Sequence, residues 1–133
     1  MLGAIAGDMI GVPWESSGEK RYDFVLFSEF SRFSDDTVMT LAVEYALLEG
    51  RGYAEAMRDF GRRHPFAGYG KHFEQWLIDP SMGPYNSYGN GGAMRASPIG
   101  FAASSVEQTL SEAERCAAPT HNHPEGVKGA QAV

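Results

Sequence analysis

The segment from Ser34 to Leu48 constrains the fold most, because both of its ends are marked. Ser34 is a good helix N-cap, Asp35 and Asp36 suit the positive first turn, and Gly50 supplies a C-terminal stop. Between them Val38, Leu41, Ala42, Tyr45 and Leu48 recur at helical spacing, which predicts one apolar face that must be buried against neighbours. Nothing in the chain alternates polar and apolar over enough residues to read as a strand. The neighbours are therefore expected to be helices, and the fold class all-α.

Other helices follow from the same punctuation. Met1 to about Val12 places Gly3, Gly7 and Gly11 four apart, a smooth face suited to close packing, with Asp8 interrupting the apolar surface. Tyr53 to Arg63 ends before Pro65, and His72 to Leu77 ends before Asp79-Pro80. Ala93 to Ala103 reads as a short helix. Ser105 to Ala117 carries Ser105 and Gln108 at capping-box spacing, and Pro124 to Val133 reads as the first turns of a further helix. The aromatic run Phe24, Phe27, Phe30 and Phe33 predicts a turn of helix or a buried loop. From Ser81 to Gly92, five of twelve residues are Gly or Pro, which marks a loop with special backbone angles.

With 133 residues and a 43% hydrophobic share, the chain can build one core but not two. A net charge of -6 argues against a nucleic-acid backbone as partner, and the one basic cluster, Arg62-Arg63-His64, reads as a solvated helix end. No run reaches the roughly 20 apolar residues of a membrane span. Asp8 cuts the N-terminal apolar stretch short of a signal peptide, and Cys116 is the only cysteine, so a reducing cytoplasm is the expected location.

Four segments carry candidate chemistry. Ser34-Asp35-Asp36-Thr37 gathers hydroxyls and carboxylates at a helix start, a set of hard oxygen donors suited to Mg²⁺ and equally an ordinary cap. Two adjacent carboxylates repel, and a cation relieves that cost. Ser87-Tyr88-Gly89-Asn90-Gly91-Gly92-Ala93-Met94-Arg95 reads as a plain connector or as a backbone cradle for phosphate, without the Gly-Lys-Ser/Thr of a Walker loop. His121 and His123, two apart, suit metal binding, stacking or hydrogen bonding to a substrate, though no His-Glu-x-x-His signature is present. Glu15 follows Trp14, a setting for acid/base use as well as for a simple surface loop.

Taken in order, Gly7-Asp8-x-x-Gly11-x-Pro13-x-Glu15, Ser34-Asp35-Asp36-Thr37, Gly89-Asn90-Gly91-Gly92-Ala93-Met94-Arg95 and Thr120-His121-x-His123-Pro124 resemble the ADP-ribosylglycohydrolase family, including its dinitrogenase-reductase-activating members. The resemblance covers essentially the whole chain. It implies an orthogonal all-α bundle, with residues 1–133 forming the N-terminal portion of a single domain. It further implies a hydrolase that removes ADP-ribose from modified proteins or small molecules by cleaving the bond at the ribose anomeric carbon, with two Mg²⁺ ions. Under it Ser34, Asp35 and Asp36 match metal ligands and Glu15 matches the catalytic glutamate of a flexible loop. Ser87, Tyr88, Gly89, Asn90 and Gly91 match the loop holding diphosphate and ribose, His121 a histidine near the substrate, and Gly70 a pocket-lining position.

The family's second metal motif, Asp-x-Asp-Thr/Ser, occurs nowhere in the chain. The expected Mg²⁺ site is then half built, with weak metal binding and little turnover from these residues alone. The alternative is an inactive ADP-ribose-binding or assembly module derived from such an enzyme. The final helix is expected to leave apolar surface for a missing C-terminal half or a second copy.

Overall fold

The computed structural model describes residues 1–15, 17 and 22–133, and among these all regular structure is helical. Seven α-helices succeed one another: α1 (Leu2–Gly11), α2 (Asp35–Glu49), α3 (Tyr53–Arg63), α4 (Lys71–Ile78), α5 (Ser97–Ala102), α6 (Val106–Ala117) and α7 (Pro124–Ala132). Single 3₁₀ turns at Val12–Trp14 and Asn90–Gly92 complete them. No helix among the described residues is long and apolar enough to cross a membrane.

Helix α2 is the hub, packing against α1, α3 and α5. Its ends are built as the sequence predicts. Ser34 is extended (φ -122°, ψ -165°) and its hydroxyl accepts the Asp36 amide, while Gly50 closes the helix in the left-handed region at φ 63°. The buried face differs from the predicted stripe. Met39, Ala42, Val43 and Ala46 are enclosed together with Val38 and Thr40, whereas Leu41 and Tyr45 are half-buried and Leu48 is exposed. A helix with neighbours on several sides buries more than one stripe, and burial fades in the last turn.

Helices α3 and α4 approach closely because Gly61 has no side chain: a Cβ there would lie 2.5 Å from Leu77 Cδ2. The basic residues of α3 are used within the fold. Arg58 stacks over Trp76 at 4.1 Å and donates to the Asp79 and Met82 carbonyls, and Arg62 donates to the Leu77 carbonyl. Arg62 thus satisfies a carbonyl that the last turn of α4 leaves open, and Arg58 holds the segment that follows the helix. Arg63 pairs with Asp59 on the surface.

Helix α5 is shorter than the predicted Ala93 to Ala103. It begins at Ser97, because Pro98 in its first turn has no N–H to continue an earlier helix. At the start of α6 the Ser105 hydroxyl accepts the Gln108 amide as expected, but the Gln108 side chain reaches one residue further back, to Ser104. Cys116 is buried in the core beside Ala113 and Ala117.

Two expectations fail in the N-terminal region. Gly3, Gly7 and Gly11 do not support close packing, since among the described residues nothing lies within 4 Å of a Cβ built at any of them. No residue of α1 is buried. The aromatic run forms neither a helical turn nor a buried loop: Phe27, Phe30 and Phe33 are exposed, Phe24 is half-buried edge-on to Trp14 with ring centroids 5.5 Å apart, and Phe33 packs edge-on against His64 at 5.9 Å. Leu2, Phe101 and Val106 are also exposed, whereas in the final helix Val127 is half-buried and Ala130 buried, which leaves Val133 as its large exposed apolar side chain.

Candidate functional site

The start of α2 is held by a residue from α1. Asp8 accepts four hydrogen bonds there: from the Ser34 amide (2.8 Å) and hydroxyl (2.6 Å), and from the Thr37 amide (3.2 Å) and hydroxyl (2.5 Å). A carboxylate thus caps the helix from outside, in addition to Ser34 itself. The Asp35 amide donates to the Ala67 carbonyl at 2.8 Å, tying the same turn to the segment before α4. Between these anchors the backbone of Ser34, Asp35 and Asp36 has little freedom.

The carboxylates crowd one another. Burial raises Asp35 from its ordinary value to about 7, helped by the charges of Asp36, Asp8 and Glu15. Burial also raises Asp36, again with Asp8 and Glu15 contributing. Ionisation of Asp35 and Asp36 is therefore opposed at this helix start, and near pH 7 Asp35 is only partly ionised. The donor set fits a hard cation in part: two carboxylates, and a Ser34 hydroxyl that gives its proton to Asp8, accepts one amide and keeps a lone pair free. Among the described residues no group of three or more His, Cys, Asp or Glu is arranged to hold a metal ion. Asp35, Asp36 and Ser34 would supply about three of the six oxygens that Mg²⁺ prefers, the rest coming from water or other residues.

Beside this corner lies a cavity of about 230 Å³. Its walls include Asp35 from α2, Gly70 at the N-cap of α4, the loop residues Ser87, Gly89, Asn90 and Gly91, and His121. Six candidates dispersed from Gly70 to His121 thus meet Asp35 around one volume. Lys71, His72, Phe73 and Tyr85 also line it, as do Met94 and Arg95 from the end of the glycine-rich segment, none of them assigned a role from the sequence. A wider groove of about 380 Å³, lined by Arg51, Tyr53, Gln108, Glu112 and Arg115, contains none of the candidate residues.

The loop is pinned to the corner between α6 and α7. The Asn86 amide donates to Asn122 Oδ1 at 2.8 Å and the Ser87 amide to the Thr120 carbonyl at 3.2 Å. Gly91 is required by contact: a Cβ there would lie 2.8 Å from Cε1 of His121. Gly126 on α7 is required in the same way, since its Cβ would lie 2.6 Å from the Ser87 carbonyl oxygen. The loop leads into the 3₁₀ turn and not directly into a helix, as the sequence had implied.

The two histidines separate. His121 is 5% exposed, and burial together with the positive charge of Arg95 lowers it to about 4, so it is neutral at pH 7. His123 instead caps α7, its Nδ1 accepting the Glu125 amide at 3.1 Å. They do not form a joint metal site. Tyr88 is 75% exposed, packs against the His123 ring at 5.4 Å and does not line the cavity. Glu15 is exposed just after the first 3₁₀ turn, close enough for its charge to act on Asp35 and Asp36, while the Trp14 ring packs on Phe24. The adjoining positions 16 and 18–21 lie outside the described residues.

Asp8 and Arg95 are the residues whose importance the sequence understated. Each left a signal: Asp8 as the lone charge in an apolar helix, Arg95 as the lone cation closing a glycine-rich loop.

Comparison with known proteins gives a consistent result. ADP-ribosylhydrolase ARH3 of Mus musculus and that of Bos taurus are each 28% identical over 165 aligned positions, covering 98% of this chain and 45% of theirs. The Gallus gallus protein of the same name is 28% identical over 168 positions, with 98% and 46% covered. The chain spans about half the length of these curated relatives. The family model described as ADP-ribosylglycohydrolase matches residues 1–133. With the match running from end to end of an all-helical chain, the protein belongs to the ADP-ribosylglycohydrolase family.

Proposed function

We propose that the chain contributes the substrate cavity and one side of the metal site of a Mg²⁺-dependent hydrolase that releases ADP-ribose from modified side chains or small molecules. The observation that carries this reading is the convergence of Asp35, Gly70, Ser87, Gly89, Asn90, Gly91 and His121 on one cavity, beside a pair of carboxyls whose ionisation is opposed by burial and by neighbouring acids. Family membership and the named activity of the relatives support it.

Ser87, Gly89, Asn90 and Gly91 hold the diphosphate and adjoining ribose, with the loop backbone close to the ligand because no Cβ intervenes at Gly89 and Gly91. His121, neutral and fixed, hydrogen-bonds a ligand oxygen. Ser34, Asp35 and Asp36 hold Mg²⁺, which would orient the ribose hydroxyls and polarise a water. Glu15, on the open side, moves a proton during cleavage at the anomeric carbon. Remote binding of the diphosphate orients the reacting ribose.

The test is calorimetry with ADP-ribose, with and without Mg²⁺, paired with a hydrolysis assay on an ADP-ribosylated substrate in the intact protein. Mg²⁺-dependent binding and turnover, both abolished by Asp35→Ala with Asp36→Ala, support the reading. Binding without turnover in the intact protein would favour the inactive ADP-ribose-binding module. No binding with or without Mg²⁺ sinks both.

A further inference from the structure

Arg95 is fully buried, yet no carboxylate pairs with it among the described residues. One nitrogen, Nη2, donates to the Cys116 carbonyl at 3.0 Å and to Thr120 Oγ1 at 2.8 Å, while Nε and Nη1 have no partner. Thr120 is likewise fully buried, and its Oγ1 lies 2.8 Å from Nδ1 of His121. Arg95, Thr120 and His121 are thus linked in series beside the cavity, which Arg95 and His121 both line.

The chemistry of the first link fixes the others. A guanidinium has only donors and stays protonated, so the Thr120 oxygen must accept from Arg95. The hydroxyl proton then needs an acceptor, and His121 Nδ1 is the one that the structure provides. Were Nδ1 protonated, it would donate into an oxygen already accepting from Arg95, and the buried hydroxyl proton would be stranded. Nδ1 is therefore bare and the ring proton sits on Nε2. Nε2 is the nitrogen turned toward the glycine loop: Cβ atoms built at Gly91 and Gly89 would lie 2.9 and 3.8 Å from it.

We propose that Arg95 and Thr120 are positioning residues that lock His121 as the neutral Nε2–H tautomer, so that its ring offers a hydrogen-bond donor to an oxygen of the bound ligand. The proposal rests on the reading of this cavity as the ADP-ribose site. The buried Arg95 charge also opposes protonation of the ring, which keeps the donor neutral.

Nitrogen NMR of the His121 imidazole in the intact protein tests the lock, and ADP-ribose calorimetry with Mg²⁺ present tests its use. The wild type is expected to show a protonated Nε2 and a bare, hydrogen-bonded Nδ1. Thr120→Val removes the hydroxyl and moves the Nδ1 resonance to that of a nitrogen without a donor, whereas Thr120→Ser retains the wild-type signature. ADP-ribose affinity falls about five- to tenfold in Thr120→Val and stays within about twofold in Thr120→Ser. A wild-type His121 protonated on Nδ1 overturns the proposal without any variant. A moved Nδ1 resonance with unchanged affinity also overturns it, because the lock then has no bearing on the ligand. The expected nitrogen signature in a protein that binds no ADP-ribose upholds the lock and overturns the assignment of the cavity.

Discussion

Asp35 is a carboxyl whose folded state holds a proton more tightly than its unfolded state, with about 7 against an ordinary value of 3.8. Burial is the largest cause of that shift, and the neighbouring Asp36 adds to it. The sign follows from linkage. This group's support for folding is present below about pH 4 and is lost as pH rises through 7, because ionisation then occurs in a crowded acidic corner. A divalent cation competes for the same charge. Thermal melts should therefore show a Mg²⁺-induced rise in Tm that is larger at pH 8 than at pH 5. Asp35→Asn should flatten the pH step and abolish the Mg²⁺ response. An equal Mg²⁺ effect at both pH values in the wild type would contradict this account of the corner.

Among the elements, the junction of α1 with α2 has the clearest energetic consequence. Asp8 takes four donors, so Asp8→Ala should cost about 2–3 kcal/mol in chemical denaturation, leaving Ser34 and Thr37 donors to find water. Asp8→Asn should cost less, since it keeps one acceptor oxygen. How much of this was legible varies with the range of the interaction. The ends of α2 could be read from Ser34 and Gly50 because caps act over two or three residues, and the end of Tyr53–Arg63 from Pro65, which acts as locally. The partnership of Asp8 with Ser34 spans 26 positions and leaves no local pattern. Leu48 was misjudged because helical periodicity shows which residues share a face, but not how many neighbours the helix has. The late start of α5 at Ser97 was visible in principle, since Pro98 marks it.

At the scale of the molecule, the candidate site joins segments from Asp35 to His121 that no spacing rule connects. Their order along the chain resembles one family, and on that ground most of the cavity lining could be named before its geometry was described. What resemblance did not supply was direction. Tyr88 and His123 face each other outside the cavity, while Arg95 and Thr120 turn inward, because side-chain orientation is settled by how the loop seats against Gly126 and the α6–α7 corner.

Helix α1 contributes no buried side chain, so hydrophobic burial does little to keep it closed. Its resistance to opening rests largely on a single carboxylate that also sets the geometry of the acidic corner. Helix and corner therefore share one local unfolding equilibrium, and a cation that steadies the corner must steady the helix. Amide hydrogen exchange should find α1 the least protected helix without Mg²⁺, slowed by Mg²⁺ in the wild type and indifferent to it in Asp8→Ala. The most loosely held helix would then act as the gauge of whether the ion has arrived.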